Sequence, residues 1–422
     1  AGPRHLVSID DLSLAEIRQV FAHARAFAED PRAFADLARG YISASLFYEP
    51  STRTRLSFES AMLRLGGGTL TAADMKTSSA IKGESLADTV RVVQGYADVI
   101  VLRHPSEGAS RLAAQYADVP VVNAGDGSHE HPTQTLCDLY TLWIERGRIE
   151  GLDVVLSGDL RYSRTIHSFI YALARFGANV VCVPHQGLEL PEYVLQRLRD
   201  EYGAEPQRAD VTQLGDLARE SDAVYLTPQK PHQLSLFTEA SALRVEHVDA
   251  VYVTRPQTER SERGAEEHSN YMRLGQQSLQ AELLRDAVVM HPLPRRDEIS
   301  SELDADPRSI YFKQAARGVP IRMAILAVLL GRAELDAAAP PPAAHAYEVE
   351  VPLNPCPNRT CISRTEERHV RPAYKLLARL PLRAACGFCE QELPFAWVGS
   401  VESRRYVARL DPRTRKLGPR GL

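Results

Sequence analysis

An α/β architecture of two doubly wound parallel-sheet domains, followed by a small β-rich module, is what the 422 residues predict. Short apolar runs rich in β-branched residues alternate with helical stretches through most of the chain. A Pro/Ala-rich segment then interrupts the pattern at Asp336–His345, and four of the six cysteines lie beyond it. Strands separated by helical segments favour parallel sheets covered by helices on both faces.

The elements justify this in order. Tyr41–Tyr48, Val99–Leu102 and Val119–Asn123 read as strands of a first domain, residues 1–140. Val154–Ser157 opens a second series, followed by a helix from about Tyr162 to Phe176 and further strands at Val180–Pro184, Ala223–Thr227, Ala250–Thr254 and Ala287–Met290. These make a second domain, residues 141–335, closed by an apolar helix over Ile321–Leu330 that should return to pack on the body. Three consecutive prolines at 340–342 cannot sit inside a helix, so residues 336–347 form a semi-rigid spacer before the terminal module, 348–422. Val-Tyr-Leu-Thr-Pro-Gln at 224–229 is echoed at 251–257, a single echo and no repeat architecture.

Charge divides the chain at the same place. Residues 337–422 carry 14 Lys and Arg against 8 Asp and Glu, a balance of +6, which leaves −10 for the remainder. No stretch approaches the ~18 uninterrupted apolar residues of a membrane span, and no leader pattern opens the sequence, so a cytoplasmic protein without membrane partners is expected. Cys137 and Cys182 stand alone in apolar surroundings and read as core residues. Cys356-x4-Cys361 and Cys386-x2-Cys389 form two knuckles about 25 residues apart, sufficient for a tetrahedral site of four thiolates. With no position left open, the zinc ion this pattern suits is structural. A ribbon this small would hardly fold without it.

Ser51-Thr52-Arg53-Thr54-Arg55 follows an apolar strand and opens a helix whose apolar face is Phe58, Met62 and Leu65. Hydroxyls, guanidinium groups and free backbone N–H groups at a helix start suit a phosphate dianion; a merely solvated basic turn would not explain the interleaved Ser and Thr. Arg103-His104-Pro105 ends a strand, where α/β proteins place ligand contacts. His131-Pro132-Thr133-Gln134 starts another helix, with His131 and Gln134 one turn apart and Leu136, Leu139 and Tyr140 facing inward. Taken alone, a histidine at a helix start is more often a cap than a catalyst.

Phe47-Tyr48-Glu49-Pro50-Ser51-Thr52-Arg53-Thr54-Arg55, Leu102-Arg103-His104-Pro105, His131-Pro132-Thr133-Gln134 and His291-Pro292-Leu293-Pro294-Arg295 together closely resemble the aspartate/ornithine carbamoyltransferase family, over nearly all of residues 4–335. The resemblance implies that Ser51, Thr52, Arg53, Thr54 and Arg103 bind carbamoyl phosphate, with His131 and Gln134 at its carbamoyl end. It also implies that Ser78 and Lys82 reach into a neighbouring subunit's site, which makes a homotrimer the smallest working unit. Arg53, Thr54, Lys82, Arg103 and His131 would be the catalytic set. Arg164, Arg255 and Gln257, with Leu293 and Lys82, match the family's aspartate contacts, and the intact His-Pro-Leu-Pro favours aspartate over ornithine. No catalytic cofactor is implied. The echo leaves an apparent insertion of about 27 residues before Arg255; Arg255, Gln257, Glu259 and Arg260 favour the second copy as the family's counterpart. Ile81 departs from relatives that have two consecutive lysines, while Lys82-Gly83-Glu84 is intact. The resemblance also implies an interdomain ion pair between Glu49 and Arg260 that holds a closed state.

Cys356-Pro357-Asn358-Arg359-Thr360-Cys361-Ile362-Ser363 and Cys386-Gly387-Phe388-Cys389-Glu390 resemble the zinc domain of the regulatory chain that accompanies some of these enzymes. There it docks on catalytic chains and links trimers, so a dimer of trimers is a second expected assembly. Between Leu335 and Cys356 there is no room for a nucleotide-binding effector domain of about 100 residues, and inhibition by CTP through such a domain is not expected. A pyrimidine-pathway enzyme is a further candidate partner. A nucleic-acid-binding protein is the rival of a different class, since basic zinc ribbons commonly bind nucleic acid; few aromatics in the tail argue against it, and no nucleic-acid partner is expected. A catalytically inactive scaffold is the other rival, disfavoured by the many like charges gathered around one site.

Overall fold

A computed structural model describes residues 2–72, 83–227, 248–255, 274–280 and 284–335, and in the tail 348–350, 356–366, 370, 373–379, 382–393, 395–400 and 405–410. Two wholly parallel sheets form its frame. The first has the order β2-β1-β3-β4, with β1 Ile42–Phe47, β2 Gly68–Ala72, β3 Val99–His104 and β4 Val121–Asp126. Its helices are α1 Leu14–Glu29, α2 Thr52–Arg64, α3 Leu86–Val93 and α4 Ala109–Tyr116. Ser13 starts α1 through a reciprocal capping box: its hydroxyl accepts from Glu16 N–H (3.2 Å) while the Glu16 carboxylate accepts from Ser13 N–H (2.7 Å). Phe58, Met62 and Leu65 are buried, as their spacing requires.

Helix α5, Pro132–Arg146, leads from the first sheet to the second. Six strands follow in the order β10-β9-β8-β5-β6-β7, namely β5 Asp153–Gly158, β6 Asn179–Pro184, β7 Gln207–Arg208, β8 Ala223–Leu226, β9 Ala250–Val253 and β10 Val288–Met290. Helices α6 Arg164–Arg175, α7 Glu192–Tyr202 and α8 Leu214–Arg219 belong to this half. The sequence echo has a structural meaning: β8 and β9 are neighbouring parallel strands, with Val224 opposite Val251 and Tyr225 opposite Tyr252. Two adjacent buried strands face the same packing constraints, and a parallel pair needs a crossover connection between its strands.

The last long helix, α9 Tyr311–Leu329, begins ten residues before the expected Ile321. Pro320 inside it removes one backbone donor and hides the continuity from a reading of the sequence. It packs on α1, α2 and α5, tying the second domain's end back to the first. Cys137 and Cys182 are buried, and burial pushes their thiols up to about 11 and about 12, which suits core residues and not nucleophiles. Among the described residues no helix is long and apolar enough to cross a membrane.

The tail contributes β11 Glu348–Glu350, α10 Ile362–Thr365, β12 Tyr374–Arg379, β13 Leu382–Cys386, β14 Phe395–Ser400 and β15 Arg405–Leu410. β12 and β13 form an antiparallel hairpin, while β15 lies between β11 and β14. Ile362, Val370 and Phe388 share one apolar cluster with Leu46, Leu86, Ile100 and Leu112, so the module completes a core of the first domain.

Candidate active site and structural metal centre

One cavity of about 670 Å³ lies between the two parallel-sheet domains, at the C-terminal ends of strands where open α/β sheets bind ligands. Ser51, Thr52, Arg53, Thr54, Arg103, His131, Gln134, Arg164, Arg255 and Leu293 all line it. Ten expected residues from six separate chain segments therefore meet at one place. Ser78, Lys82 and Gln257, together with the expected Arg260 partner of Glu49, lie outside the described residues.

Each side chain is placed by local structure. Ser51 is the N-cap of α2, and the first intrahelical donor is Arg55 N–H, bonded to the Ser51 carbonyl at 3.1 Å. The N–H groups of Thr52, Arg53 and Thr54 precede that bond at a helix start that lines the cavity, without a capping side chain to occupy them. Burial and the neighbouring positive charge of Arg255 lower the Arg53 pKa, so the site gathers cations against their own repulsion. An anionic ligand relieves that repulsion.

Arg103 and His104, consecutive on β3, point to opposite faces. Arg103, buried, donates to the Ala124 carbonyl (3.1 Å) and pairs with Glu49 Oε2 (3.1 Å). His104 packs on Tyr48 with ring centroids 4.6 Å apart, and burial drops it to about 4, a neutral structural residue. Arg164 opens α6 in the second domain and reaches across to the Gly127 carbonyl (3.1 Å) and to Glu49 Oε2 (3.3 Å). Glu49 thus stands between Arg103 and Arg164. The loop before α6 is shaped by Asp159, whose Oδ1 accepts from Arg161 and Tyr162 N–H at 3.0 and 3.1 Å.

On the opposite wall, His291 holds the Leu293 turn. Its Nε2 lies 2.8 Å from Glu298 Oε1 and its Nδ1 accepts from Leu293 N–H at 2.8 Å, which fixes Nε2 as the protonated nitrogen. Leu293 has φ of 53° and precedes a cis peptide to Pro294.

Gly125 is a position beside two arginines of the candidate site that the sequence reading missed. Its φ is +114°, and a Cβ there would lie 3.0 Å from the Arg164 guanidinium and 3.2 Å from that of Arg103. Alternating glycines in Asn123-Ala124-Gly125-Asp126-Gly127 at a strand end were the available signal. Gly125→Ala should therefore displace both arginines and lower kcat/KM by up to ~10², the scale of a 1 Å misplacement. Steady-state kinetics beside a melting curve would check it; a fall in Tm with unaltered kinetics would contradict this role.

The two family models of the aspartate/ornithine carbamoyltransferases match this chain in succession: the carbamoyl-P binding domain over residues 4–144 and the Asp/Orn binding domain over 150–329. The chain belongs to the aspartate/ornithine carbamoyltransferase family. A curated relative, the aspartate carbamoyltransferase catalytic subunit of Thermoplasma acidophilum, is 44% identical over 334 residues, covering 78% of this chain and 98% of its own. A solved catalytic subunit of M. jannaschii aspartate transcarbamoylase is 41% identical with a TM-score of 0.63, covering 78% of this chain and 98% of that one. The Trypanosoma cruzi aspartate transcarbamoylase in complex with carbamoyl phosphate and aspartate is 33% identical, TM-score 0.63, over 77% and 95% of the two chains. The chain carries an addition beyond those two family matches: the metal-binding domain of the aspartate carbamoyltransferase regulatory chain matches residues 353–396.

That addition holds a structural zinc site. Cys356, Cys361, Cys386 and Cys389 are buried, with all four Sγ atoms within 4.8 Å of one another. Cys356 and Cys389 Sγ are 3.4 Å apart, Cys361 and Cys386 Sγ 3.8 Å. Four sulfurs at the ~2.3 Å Zn–S distance of a tetrahedron lie about 3.8 Å apart, so the cradle fits the ion. Four thiolates close the coordination shell and leave no place for a substrate.

The zinc module is docked on the carbamoyltransferase family's two domains at once. Glu107 N–H donates to the Thr360 carbonyl (3.1 Å) and its own carbonyl accepts from Ile362 N–H (2.9 Å). Gly108, at φ +80°, lets Phe388 approach so closely that a Cβ would meet its backbone at 2.6 Å. Glu390 pairs with Arg111 of the first domain (2.8 Å) and with Arg197 of α7 (2.9 Å). Arg197 also meets Glu130 at 2.9 Å and lies over the Tyr171 ring at 4.0 Å.

Proposed function

We propose that this carbamoyltransferase transfers the carbamoyl group of carbamoyl phosphate to the amine of L-aspartate, giving N-carbamoyl-L-aspartate and phosphate in pyrimidine biosynthesis. The observation that carries the reading is the convergence of Arg53, Arg103, His131 and Gln134 with Arg164 and Arg255 in one cavity. Phosphate binding falls to the α2 N-terminus with Arg53 and Arg103; the two carboxylates of aspartate call for the cationic forks of Arg164 and Arg255.

The amine nitrogen attacks the carbamoyl carbon, a C–N bond forms, and the C–O bond to phosphate breaks. Negative charge gathers on the carbamoyl oxygen, within reach of donors on Thr54, Arg103 and His131. The leaving phosphate, held by cations, takes the amine proton. Orientation and electrostatics suffice, and neither a covalent nucleophile nor a catalytic metal is required.

A homotrimer is the assembly we assign, completed by Ser78 and Lys82 of an adjacent copy, as the family resemblance implies. β2 is the outer strand of its sheet, and Leu63, Leu70, Val92 and Tyr96 are exposed large apolar groups on this half, as an unpaired subunit face would present. The module and its zinc serve assembly, with no nucleotide effector domain between the second family match and the third. Two buried thiols and a thiolate metal site suit the reducing cytoplasm.

Initial rates of carbamoyl aspartate formation, with L-ornithine as the parallel acceptor, test the reading. Turnover with aspartate alone is expected, and loss of it in Arg164→Ala and Arg255→Ala would tie the acceptor to those arginines. Folded, zinc-loaded protein active with neither acceptor would overturn the assignment in favour of a scaffold.

A further inference from the structure

Between the two halves of the cavity wall lies a carboxyl group to which the reaction above gives no part. Asp138, one turn beyond Gln134 on α5, is 1% exposed. Its Oδ1 accepts from Gln134 Nε2 and from Gln314 Nε2, each at 2.8 Å, and its Oδ2 accepts from the Tyr252 hydroxyl at 2.9 Å. Gln314 lies on α9 and Tyr252 on β9, three residues before Arg255.

A glutamine side chain presents an acceptor on one side and donors on the other, and its neighbours decide which way it faces. An oxygen shared by two amide groups decides for both. Gln314 shows the consequence: with Nε2 on Asp138, its Oε1 is turned to accept from His291 N–H at 2.9 Å. Gln134 is held by the same oxygen, so its Oε1 is turned away from Asp138 while the residue lines the cavity.

We propose that Asp138 is a positioning residue that fixes Gln134 Oε1 as a hydrogen-bond acceptor in the cavity, and so makes the site select an acyl phosphate bearing an amino group over one bearing a methyl. The inference rests on the assignment of Gln134 to the carbamoyl end and adds the device that orients it. With the amide reversed, its own NH2 would face the carbamoyl NH2, donor against donor. A methyl group would be indifferent to the reversal. Sites built to pair a substrate N–H discriminate strongly against the analogue lacking it, because the acceptor is then left unpaired.

Burial pushes the Asp138 carboxyl up to about 7, with Gln314, Gln134, Tyr252 and the positive charge of Arg322 acting against that rise. Near neutrality both protonation states are therefore populated. Oδ1 accepts in both when the proton sits on Oδ2 toward Tyr252, so the orientation of Gln134 survives the change. Asparagine, with its amide oxygen in the Oδ1 position, should preserve the device; leucine should abolish it.

The test measures binding of carbamoyl phosphate and acetyl phosphate, each by competition, in the zinc-loaded full chain and in Asp138→Leu, Asp138→Asn and Gln134→Leu. The wild-type preference for carbamoyl phosphate should fall about tenfold, the scale of one hydrogen bond, in both leucine variants and stay within about twofold in Asp138→Asn. Asp138→Leu weakening both ligands alike, with the preference intact, would make Asp138 a packing residue only and overturn the proposal. If that variant does not fold, loss of preference in folded Asp138→Asn would overturn it equally. An unchanged preference in Gln134→Leu would instead remove the carbamoyl-end assignment, while a preference lost there and kept in Asp138→Leu would sink the orienting role alone.

Discussion

Arg103→Ala is expected to lower kcat by ~10² to 10³, the usual consequence of removing one donor that faces a developing oxyanion. The residue is 8% exposed and its guanidinium is held on both sides, by the Ala124 carbonyl and by Glu49. Such preorganisation is what gives a donor its value, because the group need not reorient as charge develops. Lysine should not restore the activity: a single ammonium cannot serve Ala124, Glu49 and a ligand in the fork geometry that arginine offers. A second effect follows from Glu49. Deprived of Arg103, its carboxylate pulls more strongly on Arg164, an arginine assigned to aspartate, so KM for aspartate should rise along with the fall in kcat. Arg103→Ala and Arg103→Lys kinetics, with both substrates varied, would decide this. A rise in the carbamoyl phosphate KM alone at unaltered kcat would mean that Arg103 binds the ground state and does not act on the oxyanion.

Much of this geometry was legible because its parts obey local rules. An anion site at Ser51–Arg55 is visible as hydroxyl and guanidinium groups at a helix start, and β3 ends with Arg103 and His104, where an apolar run gives way to charge. Four cysteines in two knuckles announce their metal without any tertiary information. The contacts that were not legible are those between elements far apart in sequence. Nothing near Glu49 shows that it will stand between Arg103 and Arg164, 54 and 115 residues away. Asp138 reads as one polar residue on an apolar helix until Gln314 and Tyr252 arrive from 176 and 114 residues away. Pro320 misled for a different reason: an isolated proline usually ends a helix, and here packing of α9 on α1, α2 and α5 offsets the lost bond. Gly125 stayed hidden because a glycine records only the absence of a side chain, never what needs the room.

Removing the zinc should have the largest effect on stability. Structural zinc contributes an apparent ~10 to 16 kcal/mol in small zinc-binding peptides, and a module of this size has little else to hold it. Chelation, or Cys386→Ser, should unfold the module and withdraw its contacts from the body. Phe388 and Ile362 then leave a cluster that includes Leu86, Ile100 and Leu112, exposing apolar surface on the first domain. Glu390 leaves Arg111 and Arg197, and breaking a buried ion pair by removing one partner costs about 3 to 5 kcal/mol because a charge stays behind. Arg197 retains Glu130 and Asp10, so its share of that cost should fall at the low end. The active site should feel the loss through the chain itself. Glu107, which exchanges backbone hydrogen bonds with Thr360 and Ile362, lies four residues beyond Arg103, and Glu130, a partner of Arg197, directly precedes His131. Thermal unfolding of zinc-loaded and chelated protein, with Glu390→Gln as the variant that keeps the metal, separates the two contributions. Chelated protein should melt well below the loaded form, Glu390→Gln should fall between them, and catalytic activity should decline in the same order. Equal melting temperatures with and without metal would show that the module's fold stands on its packing, and the zinc would then have to act elsewhere.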